Sequence, residues 1–228
     1  MKFLKYDEWL SKILKKKSFL LQEKNIIKYL QSHITSKKSF IYTKIKNNKY
    51  SSLLKKNKFK YITTNFQSEK KIQKVILKQN NCYDAKKKDS NLIKKLAKDS
   101  YRFSRFHLDK RIDKKKCDKI FTLWIENFFN KKRGDYLFIN KHKKEITGFL
   151  LLKKEKNFFL RIDLIAVKKN LKRKSIGKLL IFHAMNTLNR RFTKLIVGYH
   201  NHNVEAKRFY KKLGFKLRLQ QDIYHYYR

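Results

Sequence analysis

The chain has 228 residues, 41% of them hydrophobic, and 61 Lys+Arg against 17 Asp+Glu give a formal charge of +44. That much apolar sequence supports a substantial core and excludes a disordered tail. Only eleven of the basic residues are arginine, proline is absent, and the lysines are spread along the whole chain, as an AT-rich codon bias would leave them. A nucleic-acid-binding module therefore rests on charge alone, with no binding motif or aromatic platform beside it, whereas phosphorylated small molecules are favoured ligands of any strongly positive surface.

The first residues, MKFLKYDEWLSKILKKK, alternate apolar and charged positions. They lack the continuous apolar run of a signal peptide or membrane span, so a soluble cytoplasmic protein with no membrane partner is expected. A helix over 25–32, a β-rich run over 40–45, a short helix over 52–56 and a strand over 59–64 describe a small α/β unit. The polar run 67–71 reads as a boundary, dividing the chain into a small N-terminal domain, 1–70, and a larger domain, 71–228.

Beyond the boundary, 72–77 suits a strand, 92–98 and 117–129 suit helices, and 135–140 opens a run of strands. A polar turn over 141–144 leads to strands over 145–152 and 158–167. Ile176, Leu179, Leu180, Ala184 and Leu188 recur at helical spacing, so 175–190 is an amphipathic helix. A buried strand over 194–198, a helix over 204–213 stopped by Gly214 and a terminal β segment over 215–227 complete the chain. The fold class is α/β with a mixed sheet of α+β type. The two cysteines, Cys82 and Cys117, have no ligand spacing, and no disulfide is expected.

Chemistry concentrates in two segments. In 164–180, LIAVKKNLKRKSIGKLL, a buried strand ends at Val167, a basic loop follows, and a helix opens at Ser175–Ile176–Gly177. Unpaired N–H groups and the helix dipole there, beside Lys172, Arg173, Lys174 and Lys178, make a site for a pyrophosphate. The plain alternative is a basic loop capped by Ser175. The second segment is 203–215, with Asn203, Ala206, Phe209, Tyr210, Leu213, Gly214 and Phe215; its plain reading is a capped helix with a core aromatic. His200 and His202 flank Asn201 without a third ligand, and no metal is expected.

These segments resemble the GNAT superfamily of acyl-CoA-dependent N-acetyltransferases. Lys172, Ser175 and Gly177 stand at the key positions of its acyl-CoA loop, Arg/Gln-x-x-Gly-x-Gly/Ala, with Lys for Arg/Gln and Ser for the first Gly. Residues 203–215 match its Asn-x-x-Ala-x-x-Phe/Tyr-Tyr-x-x-x-Gly-Phe block throughout. The resemblance implies acetyl-CoA as donor cosubstrate, direct acetyl transfer to a primary amine without metal, and a GNAT fold joined to the smaller N-terminal α/β domain. It further implies that backbone groups of Ile165, Ala166 and Val167 meet the pantetheine arm and oxyanion. Asn203 and Ala206 would lie along that arm, and Tyr210 would be the general acid. Asp163 is a candidate base, a water relayed to a carboxylate the alternative.

Upstream, DSYRFSRFHLD (99–109) and LWIENFF (123–129) are similar to the amino-sugar branch typified by dTDP-fucosamine acetyltransferase, and Tyr224–His225–Tyr226 agrees more loosely. That resemblance implies a nucleotide-linked amino-deoxy sugar as acceptor, with Ser104, Arg105 and Phe106 at the substrate. A protein N-terminus or lysine side chain is the alternative acceptor, and a homodimer is compatible with it.

Overall fold

The computed structural model describes residues 3–32, 39–46, 48–77, 81–143 and 145–227. In chain order its elements are β1 (Leu4–Tyr6), α1 (Glu8–Leu14), β2 (Lys17–Leu21), α2 (Ile26–Gln31), β3 (Ser39–Ile45), α3 (Ser51–Lys56), β4 (Lys60–Lys71) and β5 (Cys82–Asp84). There follow α4 (Ser90–Ser100), α5 (Arg105–Leu108), α6 (Lys114–Phe129), β6 (Tyr136–His142), β7 (Glu145–Glu155) and β8 (Phe159–Val167). The chain closes with α7 (Ile176–Leu188), β9 (Lys194–His200), α8 (Val204–Lys212) and β10 (Lys216–Tyr227).

Among the described residues these strands form one ten-stranded sheet in the order β1-β2-β3-β10-β4-β9-β8-β7-β6-β5. The strand period of two sorts each strand's side chains between two cores. Leu137, Ile139, Phe149, Leu151 and Leu164 pack with α1, α4 and α6 on one face. Their neighbours Phe138, Leu150, Leu152 and Ile162 pack with α7 on the other. Toward β3, Ile41, Ile45 and Tyr224 bury against Ile26 of α2 and Leu54 of α3. Cys82 and Cys117 are buried and unbridged.

Several expectations change. Residues 67–71, read as a boundary, are the end of β4, which pairs with β9 on one side and β10 on the other. A polar strand is tolerated there because its charge is matched across strands: Glu69 meets Lys194 at 2.6 Å and Arg218 at 3.4 Å. Both sides of position 70/71 thus contribute to one sheet. Residues 72–77 form no strand; the chain crosses α7, where the Asn186 amide satisfies both backbone groups of Val75 at 2.7 Å. The turn expected over 141–144 is tighter, since β6 runs to His142 and Lys143 turns with φ 54°; Lys144 lies outside the described residues. The first residues form β1, α1 and β2, elements that the mixed apolar and charged pattern did not announce.

Candidate functional site

β8 and β9 run parallel and pair only from Phe159↔Lys194 to Ile162↔Val197. Beyond that point each keeps its outer neighbour: β8 stays on β7 and β9 stays on β4. The two strands therefore part, and a cleft of about 2200 Å³ opens between them. A register shift in the β7–β8 ladder leaves Asp163 unpaired at the point of divergence. Its carboxylate is 5% exposed, lines the cleft and lies 3.1 Å from Nη2 of Arg133, yet Oδ2 forms no hydrogen bond among the described residues. Burial raises the Asp163 carboxyl above its ordinary value, and the Arg133 charge opposes that only in part. Arg133 itself lies 3.6 Å over the Trp124 ring.

The inner edge of β8 offers backbone groups to the cleft. Ile165 turns its carbonyl away from β7, toward the phenol of Tyr101, which donates to it at 2.9 Å. Residues two apart on a strand share a direction, so the N–H groups of Ile165 and Val167 face the opening together. Ala166 points the other way into the core.

At the mouth, α7 begins with Ser175 as its N-cap residue in the left-handed region, φ 59°, and its side chain makes no cap bond. Arg173 also has positive φ, 66°. The first helical hydrogen bond is donated by the Leu179 N–H to the Ser175 carbonyl at 2.9 Å. The N–H groups of residues 173–178 find no backbone acceptor among the described residues. Alternating left- and right-handed residues curl such N–H groups into a concave anion-binding nest, reinforced by the helix dipole. Lys172 reaches across to Glu205 of α8 at 2.8 Å, and Arg173 and Lys178 line the cleft, while Lys174 is exposed and lies off its wall. A Cβ on Gly177 would come 3.1 Å from Cζ of Phe209, so this glycine lets α7 and α8 approach. Ile176 packs half-buried against the same core.

Across the cleft, Asn203 caps α8: its Oδ1 accepts from Ala206 N–H at 3.0 Å, and its Nδ2 remains to face the opening. Tyr210 is 4% exposed. It stacks on Tyr199 at 5.7 Å and meets Phe209 and Phe215 edge-on. Its phenol lines the cleft, and burial, with a smaller contribution from Tyr199, pushes its pKa up.

The far end of the cleft is built by the 99–109 segment and the N-terminal strands. Arg105 lies between aromatic rings, 4.0 Å from the Tyr42 centroid and 4.2 Å from that of Phe106. It donates to Nε2 of His225 at 3.1 Å, and His225 Nδ1 meets Asp109 Oδ2 at 2.9 Å. The Ser-Arg-Phe segment, the aspartate after it and the C-terminal Tyr-His-Tyr are thus one network. Ser104 caps α5, bonding His107 through N–H at 3.3 Å and Nδ1 at 2.7 Å. Phe106 is a core residue supporting Arg105. Ser104, Arg105 and Phe106 all line the cleft.

The sequence matches the model of the acetyltransferase (GNAT) family over residues 93–215. The chain belongs to the GNAT acetyltransferase family. It is 30% identical over 145 residues to the spore coat polysaccharide biosynthesis protein SpsD of Bacillus subtilis (strain 168), an alignment covering 61% of this chain and 47% of the relative. The chain thus spans about half the length of the curated relative it matches. Its fold is similar to that of a GCN5-related N-acetyltransferase from Sphaerobacter thermophilus, with TM-score 0.62, 10% identity and coverage of 92% of this chain and 73% of that one. A functionally unknown conserved protein from Staphylococcus epidermidis ATCC 12228 gives TM-score 0.68 at 11% identity, with coverage of 95% and 87%.

In this GNAT chain the structure brings Asp163, Ile165, Ala166, Val167, the 172–178 loop apart from Lys174, Asn203, Ala206, Tyr210, Ser104, Arg105 and Phe106 to one cleft. Sequence reasoning missed Tyr101, Tyr42, Lys44 and Arg133. Tyr101 lies within 99–109, so the segment signalled it; Lys44 and Tyr42 had only strand alternation behind them. Among the described residues no group of His, Cys, Asp or Glu could hold a metal ion, and no helix is long and apolar enough to cross a membrane.

Proposed function

We propose that this GNAT protein transfers an acetyl group from acetyl-CoA to the primary amine of a small molecule, a nucleotide-linked amino-deoxy sugar. One observation carries the reading: the unpaired N–H groups of residues 173–178 open onto the same cleft as Tyr210 and the parted edge of β8. The nest and its flanking cations suit the pyrophosphate of CoA. The Ile165 and Val167 amides suit the thioester oxygen, where negative charge develops as the amine attacks. Asp163 accepts the amine proton, directly or through water, and Tyr210 gives its proton to the sulfur as the C–S bond breaks. Acetyl-CoA supplies the activated acyl group.

The relative's name, which refers to polysaccharide biosynthesis, supports a sugar acceptor, as does the Arg105–His225–Asp109 network. Residues 1–70 act as an acceptor-side unit whose β3 walls the cleft. A lysine-rich peptide would meet the charges of Arg105 and Lys44, which disfavours the protein-acetylating alternative.

The test is acetyl-CoA-dependent thiol release measured with a panel of amino-sugar nucleotides and basic peptides. Turnover with a sugar nucleotide is expected. Turnover with peptides alone would overturn the acceptor while leaving the donor chemistry in place.

A further inference from the structure

Lys44 lies two residues beyond Tyr42 on the same face of β3, and Arg105 sits 4.0 Å over the Tyr42 ring; both line the acceptor end of the cleft, and neither has a carboxylate ion pair among the described residues. Arg105 is fixed by aromatic rings and by a neutral acceptor, His225 Nε2. Lys44, half-buried on β3, has no hydrogen-bond or ion-pair partner among the described residues. Asp7, the carboxylate that acts on Arg105, makes its hydrogen bonds elsewhere: Oδ1 accepts from Leu10 N–H at 2.9 Å and Oδ2 from the Tyr42 phenol at 3.0 Å. His200 adds a buried Nδ1 with no partner among the described residues, near the same cations. Two desolvated positive charges side by side repel one another and are costly unless an anion joins them.

We infer that Lys44 and Arg105 form a two-cation seat for an anionic group, a phosphate or a carboxylate, carried by the acceptor. The inference rests on the acetyltransferase reading and adds its acceptor-side charge requirement. It assigns to β3, outside the 93–215 family match, a specificity-determining residue. Arg105 supplies a rigid fork held over Tyr42, and Lys44 supplies a point charge that adjusts to the anion.

A pH signature follows. Burial, with the charges of Arg105 and Arg161, lowers the Lys44 ammonium to about 8. The other titratable groups around this end are Tyr42, raised to about 12, His200 and His225, both lowered to about 4, Asp109, held below its ordinary value, and also Asp7 and His202. None of those with a shifted value titrates between pH 7 and 9, so loss of anion affinity over that interval reports Lys44.

The experiment is calorimetry in saturating CoA, which blocks the donor nest, with thymidine 5′-diphosphate, thymidine and glucuronate as probes at pH 7 and pH 9. Thymidine diphosphate binding over thymidine by at least tenfold, weakened at least tenfold by Lys44→Met and severalfold by raising the pH, establishes a phosphate seat. The same pattern with glucuronate alone establishes a carboxylate seat. Lys44→Arg should retain affinity at pH 7 and lose the pH dependence, a result that does not depend on the methionine variant folding. Probes that bind equally with and without charge, or affinities indifferent to Lys44→Met, overturn the seat. CoA binding and thiol release in the same preparations report separately on the acetyltransferase reading.

Discussion

Arg105 donates to Nε2 of His225, 3.1 Å away and 120 residues further along the chain. The bond requires His225 to carry its proton on Nδ1, and Asp109 holds that tautomer from 2.9 Å. Burial lowers His225 to about 4, with Asp109 opposing in part, so the ring is neutral near pH 7. Burial would raise Asp109, but bonds from His225 and Arg111 outweigh it and hold the carboxyl far below its ordinary value. Asp109→Asn should therefore destabilise the fold by about 3–5 kcal/mol, as expected when one partner of a buried charged network is removed, read as a drop in the urea midpoint. Acid should do the same to the parent. His225 and His200 protonate near 6.5 when unfolded but near 4 when folded, so their contribution is complete above pH 6.5 and fades between 6.5 and 4. Asp109 extends the loss below its ordinary 3.8. A melting temperature that stays flat from pH 7 to 4 would contradict this network.

Tyr210 is surrounded by aromatic rings, yet its phenol reaches the cleft. If Tyr210 is the general acid, its raised pKa keeps the proton in place at neutral pH for a departing thiolate. Tyr210→Phe preserves the ring packing and should lower kcat by roughly 10²–10⁴-fold with acetyl-CoA affinity little changed. A folded Phe variant with parental kcat would remove Tyr210 from the reaction and leave solvent as the donor.

Asp163 joins a β-bulge, a raised pKa and an unsatisfied oxygen at the point where β8 and β9 separate. If it accepts the amine proton, Asp163→Asn should lower kcat by about 10²–10⁴-fold and abolish the acidic limb of the kcat/KM profile. That limb should lie above pH 3.8, the ordinary carboxyl value, because burial raises this group. An unchanged pH profile in the Asn variant would assign the limb to another group.

Ser175 occupies a backbone position, φ 59°, that glycine adopts without a Cβ penalty. Ser175→Gly should keep CoA affinity and alter stability by less than about 1 kcal/mol, because relief of strain opposes the greater freedom of the unfolded chain. Ser175→Val, β-branched in the same conformation, should cost about 1–3 kcal/mol and weaken CoA binding as the nest distorts. Equal CoA affinity in the Val variant would show that the loop binds the donor by charge alone. Calorimetry and thermal melts on the same three proteins read both quantities.

The segments proposed to hold the donor were legible because the parts of each are contiguous. A strand end, a basic turn and a helix start fall within 164–180, and the α8 block within 203–215. The hydrogen-bonding geometry of a helix terminus follows from local sequence whatever surrounds it. Polar residues such as 67–71 misled, since a strand paired on both sides tolerates charge when its neighbours neutralise it, and those neighbours, Lys194 and Arg218, are remote in sequence. At the other end of the cleft the resemblance pointed to Ser104, Arg105 and Phe106, but Lys44 and the contact of Arg105 with His225 were not legible, for the same reason. Lys44 alternates with buried residues on β3, Arg105 sits on a four-residue helix, and His225 comes from the last strand. Insertion of β10 between β3 and β4 brings the three together. Periodicity records which face of a strand a side chain occupies, but strand order decides which remote charges share that face, and the tertiary structure alone supplies that order.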